Sequence, residues 1–501
     1  MVTAQSRMRI PGHGHEAPSE MSEHAEPIRQ LGTHCKLVSQ TEQLALDATL
    51  ALDAIIVPAS RPARNLEQAI TLARAADCPL LILCSHKLEP AEVHQLLGER
   101  SFNDAIVVKL PKEYRHELLE FRALESIRGD LPKACSSYVT DLSTKRNVGL
   151  LLARMVGWRR IFFLDDDIRD ISYPDLQSTV SMLEAFPAAG IRVNSFPDNS
   201  VACHAHRATR GLQDVFVTGA ALAVDCQKNS GFFPDIYNED WLFFYDDVRT
   251  GRLGSSGLKA TQLRYDPFAD AQRAAWQEFG DVLAEGLYAL LDNGQGFEYA
   301  TREYWVDFLY ARRRFLEAII DRSGTARPEI REQLLHSVEA ALKCSITIEP
   351  KTLERYVRLW RRDLRGWERR VIGIGQTRSL EVALKELELE LPTGGWISDM
   401  AHPTPEGLTE EPPTVPFTAP DYFNLFRPSA DDDGRTVPDR GRRGGRNRRA
   451  GLLPHHGSPS IQEGGFFASA RRALRITGRE GAQSEASPSL DVQPTAETVC
   501  S

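Results

Sequence analysis

Three consecutive carboxylates, Asp165, Asp166 and Asp167, close the apolar run Arg160-Ile161-Phe162-Phe163-Leu164. A buried strand that delivers acids at its carboxyl end makes a hard cation site. Oxygen ligands suit Mg²⁺ or Mn²⁺, and such ions bridge protein carboxylates to substrate phosphates. A second acid pair, Glu239-Asp240, lies among Phe232, Phe233, Trp241, Phe243 and Phe244. Carboxylates in an apolar surround tend to hold their protons more tightly, which suits a general base that must accept a proton from a hydroxyl. Asn238, Glu239 and Asp240 read equally as cap and dipole partners at a helix N-terminus. Between the two acid groups, Gly219 and Ala220 interrupt an apolar stretch from Gln213 to Val224, read as strand, small-residue turn and second apolar segment. They would let backbone approach a ligand closely, or they form a tight packing turn.

The surrounding pattern says how such residues would be positioned. Asp53 to Pro58, Leu80 to Leu83 and Ala105 to Val108 read as strands, and Leu66, Ala69, Ile70 and Ala73 as one face of a helix. Val148, Leu151, Leu152, Met155 and Val156 share a second helix face, stopped by Gly157 just before the acidic strand. Strands alternating with helices imply an α/β fold with a parallel sheet. Ligands of such sheets lie beyond the carboxyl ends of the strands, where Ser60, Arg61, Cys84, Ser85 and the three acids would converge.

The order Ser60-Arg61, Lys145-Arg146-Asn147-x-Gly149, Phe163-Leu164-Asp165-Asp166-Asp167, Gly219-Ala220-Ala221, Asn238-Glu239-Asp240 resembles family 2 glycosyltransferases of the GT-A fold, over roughly Leu52 to Val248. The resemblance implies a Rossmann-like, mainly parallel sheet flanked by helices. It implies transfer of a sugar from a nucleoside-diphosphate donor to an acceptor hydroxyl with Mn²⁺ or Mg²⁺, inverting by single displacement. By the same likeness Asp165 contacts the nucleotide, Asp167 ligates the metal together with Asp165, and Asp166 does either. Asp240, or else Glu239, is the base. Ser60, Arg61 and Arg146 lie near the nucleotide, with Ser85, Gly219 and Ala220 completing the donor site. The family carries acidic residues after its second strand, where this chain has Cys84-Ser85-His86-Lys87, so the donor's base is left open.

Other readings of the motif are weaker or remain open. A haloacid-dehalogenase-type phosphatase wants Thr or Val two residues beyond its second acid, but Ile168 and Arg169 follow Asp167. A sugar nucleotidyltransferase needs a glycine-rich loop that Pro58 to Arg64 lacks. A retaining GT-A transferase, a sugar nucleotidyltransferase in spite of that loop, and an inactive GT-A scaffold binding partners through its tails are the alternatives.

Composition sets the outer bounds. A formal net charge of -9 over 501 residues argues against a nucleic-acid partner, apart from an arginine-glycine segment at Arg440 to Arg449 that follows Asp431-Asp432-Asp433. The chain divides into a disordered extension over 1–48, a GT-A-like domain over 49–267, a helical annex over 268–403 and a disordered Pro/Gly/Arg-rich tail over 404–501. Annex helices are expected at Ala284 to Leu291, Tyr304 to Ile320, Glu329 to Leu342 and Leu353 to Trp367, with arginines interleaved among aromatic groups. These would either line an acceptor groove or pack as amphipathic helices with a solvated basic face. His204 and His206 are placed on one side of a strand and His402 in a loop, as possible metal or acceptor contacts. Eight cysteines without a C-x-x-C pair, and the lack of any long apolar run, suggest unpaired thiols, no transmembrane segment and a cytoplasmic protein.

Overall fold

The computed structural model describes residues 34–40, 50–136, 140–193, 196, 199–213, 216–374 and 377–390. His402, the arginine-glycine segment and the expected disordered termini, apart from His34 to Gln40, lie outside them. The strands are β1 Ser39–Gln40, β2 Ala54–Ala59, β3 Leu80–Cys84, β4 Ala105–Lys109, β5 Arg160–Leu164, β6 Ile168–Arg169, β7 Ala188–Val193, β8 Val217–Asp225 and β9 Leu253–Gln262. Around the sheet lie α1 Glu67–Ala76, α2 Pro90–Glu99, α3 Ala123–Ile127, α4 Lys133–Ser136, α5 Leu142–Val156, α6 Tyr173–Ser181, α7 Val201–Ala208, α8 Glu239–Phe243 and α9 Tyr245–Arg249. The C-terminal region is helical: α10 Ala271–Asp292, α11 Arg302–Asp321, α12 Pro328–Thr347, α13 Pro350–Ile372 and α14 Leu380–Glu386. The four expected annex helices fall inside α10 to α13.

Alternate residues of the strands feed two cores. Ala54, Ile56, Ile161 and Phe163 face α5, α10 and α13, while Ile55, Val57, Phe162 and Leu164 face α1, α2 and α6. Burial on both faces explains why these strands read as unbroken apolar runs. The first core continues from the sheet into the helical annex, taking in Trp305, Trp360 and Trp367.

Strand order is β1-β9-β7-β8-β5-β2-β3-β4, with the short β6 pairing with β9. The sheet is mixed, which corrects the expectation of a mainly parallel one. Strand β8 runs antiparallel to both β5 and β7, while β5, β2, β3 and β4 are mutually parallel. The second correction follows from the first: Val217–Asp225 is one continuous nine-residue strand, with no turn at Gly219. The register against β7 shifts in this stretch, and the Gly219 N–H is taken up by the Asp240 carboxylate at 2.7 Å. Because β8 is antiparallel, its first residues lie beside the last residues of β5, with Ala221 opposite Leu164. The chain also reverses its direction of sheet growth between β2 and β5, which makes the carboxyl ends of these two strands the crevice of the sheet.

Two further expectations change. His204 and His206 belong to helix α7, where residues two apart point to different sides. Cys135 and Cys344, separated by 209 residues, are joined as a disulfide between α4 and α12, a pairing that no local spacing could signal. Cys78, Cys84 and Cys226 are free thiols. Among the described residues no helix is long and apolar enough to cross a membrane.

Candidate active site

Helix α5 enters at the carboxyl edge of the sheet, so its first two turns lie over the strand ends. Each polar residue of Lys145-Arg146-Asn147 has a distinct task there. The Lys145 ammonium, 2% exposed, donates to the Ala59 carbonyl at 3.2 Å and the Ser85 hydroxyl at 2.9 Å, and it pairs with Asp141 at 3.1 Å. It ties the ends of β2 and β3 to the start of α5. Arg146 donates through Nη2 to both oxygens of Asp165 at 3.0 Å and through Nη1 to Glu239 at 2.5 Å, and its guanidinium lies 5.3 Å from the Phe233 ring centre. Asn147 clamps the backbone of Phe233, donating to its carbonyl at 2.7 Å and accepting from its N–H at 2.8 Å. That holds the segment leading into the second acid pair. Two residues later Gly149 lets α5 settle on β2 and β5, because a Cβ there would stand 3.0 Å from Ile56 Cγ2 and 3.3 Å from Phe163.

The three strand-end acids are not equivalent. Asp166, 3% exposed, accepts the backbone N–H groups of Ser60 and Arg61 at 2.7 and 2.8 Å on one oxygen and the Arg61 guanidinium on the other. It is a staple between β2 and β5, and Ser60 contributes through its backbone. Asp167 receives Arg61 at 2.7 Å and the Gln262 amide at 3.2 Å. Burial raises its pKa, Arg61 opposes, and the neighbouring Asp165 and Asp166 carboxylates add to the rise, leaving it at about 6. Asp165 is the most open of the three, with its side chain 16% exposed.

Strand β8 and helix α8 supply the facing wall. The Ala220 carbonyl accepts the Asp165 N–H at 2.9 Å, and the Gly219 N–H donates to Asp240 at 2.7 Å. The second Asp240 oxygen accepts the N–H of Trp241 at 2.9 Å, which fixes the carboxylate in place. A Cβ on Gly219 would meet Arg146 Nη1 at 2.9 Å and Asp240 Cβ at 3.0 Å, so glycine is needed for this close approach. Glu239 and Asp240 are both buried, and burial raises both pKa values against the opposing charge of Arg146. Both halves of the acid pattern, strand end and helix start, thus meet in one network through Arg146.

The site residues expected from the sequence fall into three sets: Arg146 with Asp165 and Glu239, beside Gly219, Ala220 and Asp240; Ser60 and Arg61 with Asp166 and Asp167; and Ser85 with Lys145. Lys145, Asn147 and Gln262 are the residues that sequence reasoning left without a role. The first two lay inside a motif already singled out, whereas Gln262 closes β9 and carries no local signal. His204 and His206 stand apart. His204 contacts Tyr265 and Arg207, and burial, reinforced by the nearby arginines Arg207 and Arg273, lowers its pKa to about 3. His206 packs on Phe315 and contacts Arg322.

Among the described residues no three His, Cys, Asp or Glu side chains gather as a metal-binding group. A cation at Asp165 and Asp167 would therefore take most of its ligands from substrate phosphate and water, as Mg²⁺ commonly does. As it stands, Arg61 holds the Asp167 carboxylate at 2.7 Å and Arg146 the Asp165 carboxylate at 3.0 Å. No protein-family model matches the chain, and no curated protein matches it.

Proposed function

We propose that this protein is a GT-A-type glycosyltransferase that moves a sugar from a nucleoside-diphosphate donor to an acceptor hydroxyl, inverting the anomeric centre. The observation that carries the reading is the double engagement of Arg146. It unites Asp165 with Glu239 across 93 residues of sequence from the latter, as a site with donor and acceptor sides requires. The position of the network, in the crevice between β2 and β5, supports a nucleotide ligand.

In this reading the donor's diphosphate lies over Asp165, Asp167 and Arg61. An Mg²⁺ or Mn²⁺ ion held by the two acids would neutralise charge on the leaving group. Arg61, whose side chain is 45% exposed, is free to turn from the acids to a phosphate oxygen. Arg146 remains in place and keeps Asp165 and Glu239 oriented. On the far side Asp240, held by two backbone amides, accepts the proton of the acceptor hydroxyl as its oxygen bonds to the anomeric carbon and the bond to the diphosphate breaks. Such a base contributes about 10²- to 10⁴-fold in rate. Glu239 is the alternative base, although its bond to Arg146 favours a positioning role.

Equilibrium binding tests the donor half of the proposal. UDP, GDP, dTDP and ADP are titrated with and without Mn²⁺ against the wild type and Asp167→Ala. Metal-dependent binding of one of them, lost in the variant, is expected. Equal binding by both proteins would remove Asp167 from the site.

A further inference from the structure

The arginines of α13 are arranged in a way the proposed chemistry does not use. Tyr356, Trp360 and Trp367 are fully buried against the core, so the aromatic groups of this helix point inward. Lys351, Arg355, Arg358, Arg362, Arg365 and Arg369 are all exposed. Their spacing of four, three, four, three and four residues puts them within an arc of about 80° at 3.6 residues per turn. They form a straight row about 27 Å long at 1.5 Å per residue. Lys351 is paired with Glu349 and Arg355 with Asp130, but Arg358, Arg362 and Arg365 have no ion-pair partner among the described residues. The acids of the helix do not interrupt the row. Asp363 is turned inward to accept the N–H groups of Arg122 and Ala123, and Glu354 and Glu368 are half-buried at the margin. Ile372, 66% exposed, follows at the end of the same side.

We propose that this face of α13 docks the protein on an anionic lipid surface. A straight row of cations matches a flat sheet of negative headgroups, and clusters of four to eight Lys or Arg on one helix face are the usual requirement for such attachment. With a net charge of -9 the whole chain would be repelled from that surface, so the attraction is local to this row. The burial of Tyr356, Trp360 and Trp367 disfavours single-stranded nucleic acid, which is bound by stacking bases on exposed aromatic rings. Ile372 supplies an apolar side chain at the lipid boundary.

Sedimentation of the full chain with vesicles tests this. Vesicles of phosphatidylcholine alone are compared with vesicles containing phosphatidylglycerol, for the wild type and for Arg358→Gln/Arg362→Gln/Arg365→Gln. The wild type is expected to pellet only with the anionic vesicles, and less so as salt is raised. The triple variant should bind roughly a hundredfold more weakly, since each arginine near such a surface is worth about a factor of five. The three side chains are exposed and form no ion pair among the described residues, so an unchanged melting temperature is expected and separates lost docking from lost fold. Absence of sedimentation, equal sedimentation with neutral vesicles, or undiminished binding by the triple variant would overturn the proposal. Displacement from the vesicles by RNA at equal phosphate concentration would overturn it in favour of a nucleic-acid surface.

Discussion

Arg146 and Glu239 are 93 residues apart in sequence and 2.5 Å apart in space, with the Arg146 side chain only 2% exposed. The same guanidinium holds Asp165 at 3.0 Å, so one buried cation stands between two carboxylates. Removing the cation alone leaves both uncompensated. Arg146→Met is therefore expected to cost about 3–5 kcal/mol. Glu239→Gln in the same background should recover part of that loss. Urea unfolding of the two single variants and the double variant measures the coupling, and strictly additive losses would contradict a shared buried network.

The strand-end acids should separate by role. Asp166→Asn places an amide donor among the N–H groups that Asp166 now accepts, at an expected cost of about 1.5–3 kcal/mol. Asp167 is held at a pKa of about 6 by burial and neighbouring acids, so its charge opposes folding, and Asp167→Asn should leave stability unchanged or raised. Nucleotide binding should show the reverse ranking. Thermal unfolding with nucleotide titration of both variants decides this, and equal stability losses would contradict the division.

Legibility in the sequence was uneven, and the reasons are physical. The parallel strands β2 to β5 were visible because burial on both faces makes each of them an apolar run, and α5 because its apolar face repeats at helical spacing. The antiparallel course of β8 was not visible. A strand's direction is set by its neighbours, and Gly219 mimicked a turn while serving to make room for Arg146. The acids at 165–167 and 239–240 were found because carboxylates beside apolar runs are uncommon without a purpose. Their unequal duties were not, since the Asp166 staple depends on the backbone of Ser60 and Arg61, more than a hundred residues earlier. His204 and His206 misled because a short alternating stretch fits strand and helix alike.

Gly219 offers a steric test. Gly219→Ala should destabilise by about 1–3 kcal/mol through contact with Arg146 and Asp240. Gly98, in α2 with no atom within 4 Å of an added Cβ, is the control. Gly98→Ala should stabilise by about 0.5–1 kcal/mol through helix propensity. Melting temperatures compare the two, and a neutral Gly219→Ala would mean that the close approach is not needed.

His34 carries the pH dependence. Burial lowers its pKa, but hydrogen bonds to Asp292 at 2.6 Å and Glu285 at 3.2 Å outweigh that and raise it to about 9. The rings of Trp241 and Tyr288 enclose it, which ties the 34–40 segment to the helix that bears Asp240. A folded-state pKa above the unfolded value gives stability that is fully present below about 6.5 and lost as pH rises through about 9. His34→Gln should therefore cost about 2–3 kcal/mol at pH 6 and much less at pH 10. Chemical unfolding of both proteins across that range checks it, and a pH-independent difference would exclude the ion pair as the cause.

The most direct measurement is nucleoside-diphosphate release from a panel of UDP-, GDP-, dTDP- and ADP-sugars, with and without Mn²⁺, by the wild type, Asp167→Ala, Asp240→Ala and Glu239→Ala. Glycosyl transfer from this site predicts metal-dependent release from one donor, abolished in Asp167→Ala. In Asp240→Ala turnover should fall by about 10²-fold or more with donor binding retained. Full release by Asp167→Ala, or full turnover by both Asp240→Ala and Glu239→Ala, would contradict it.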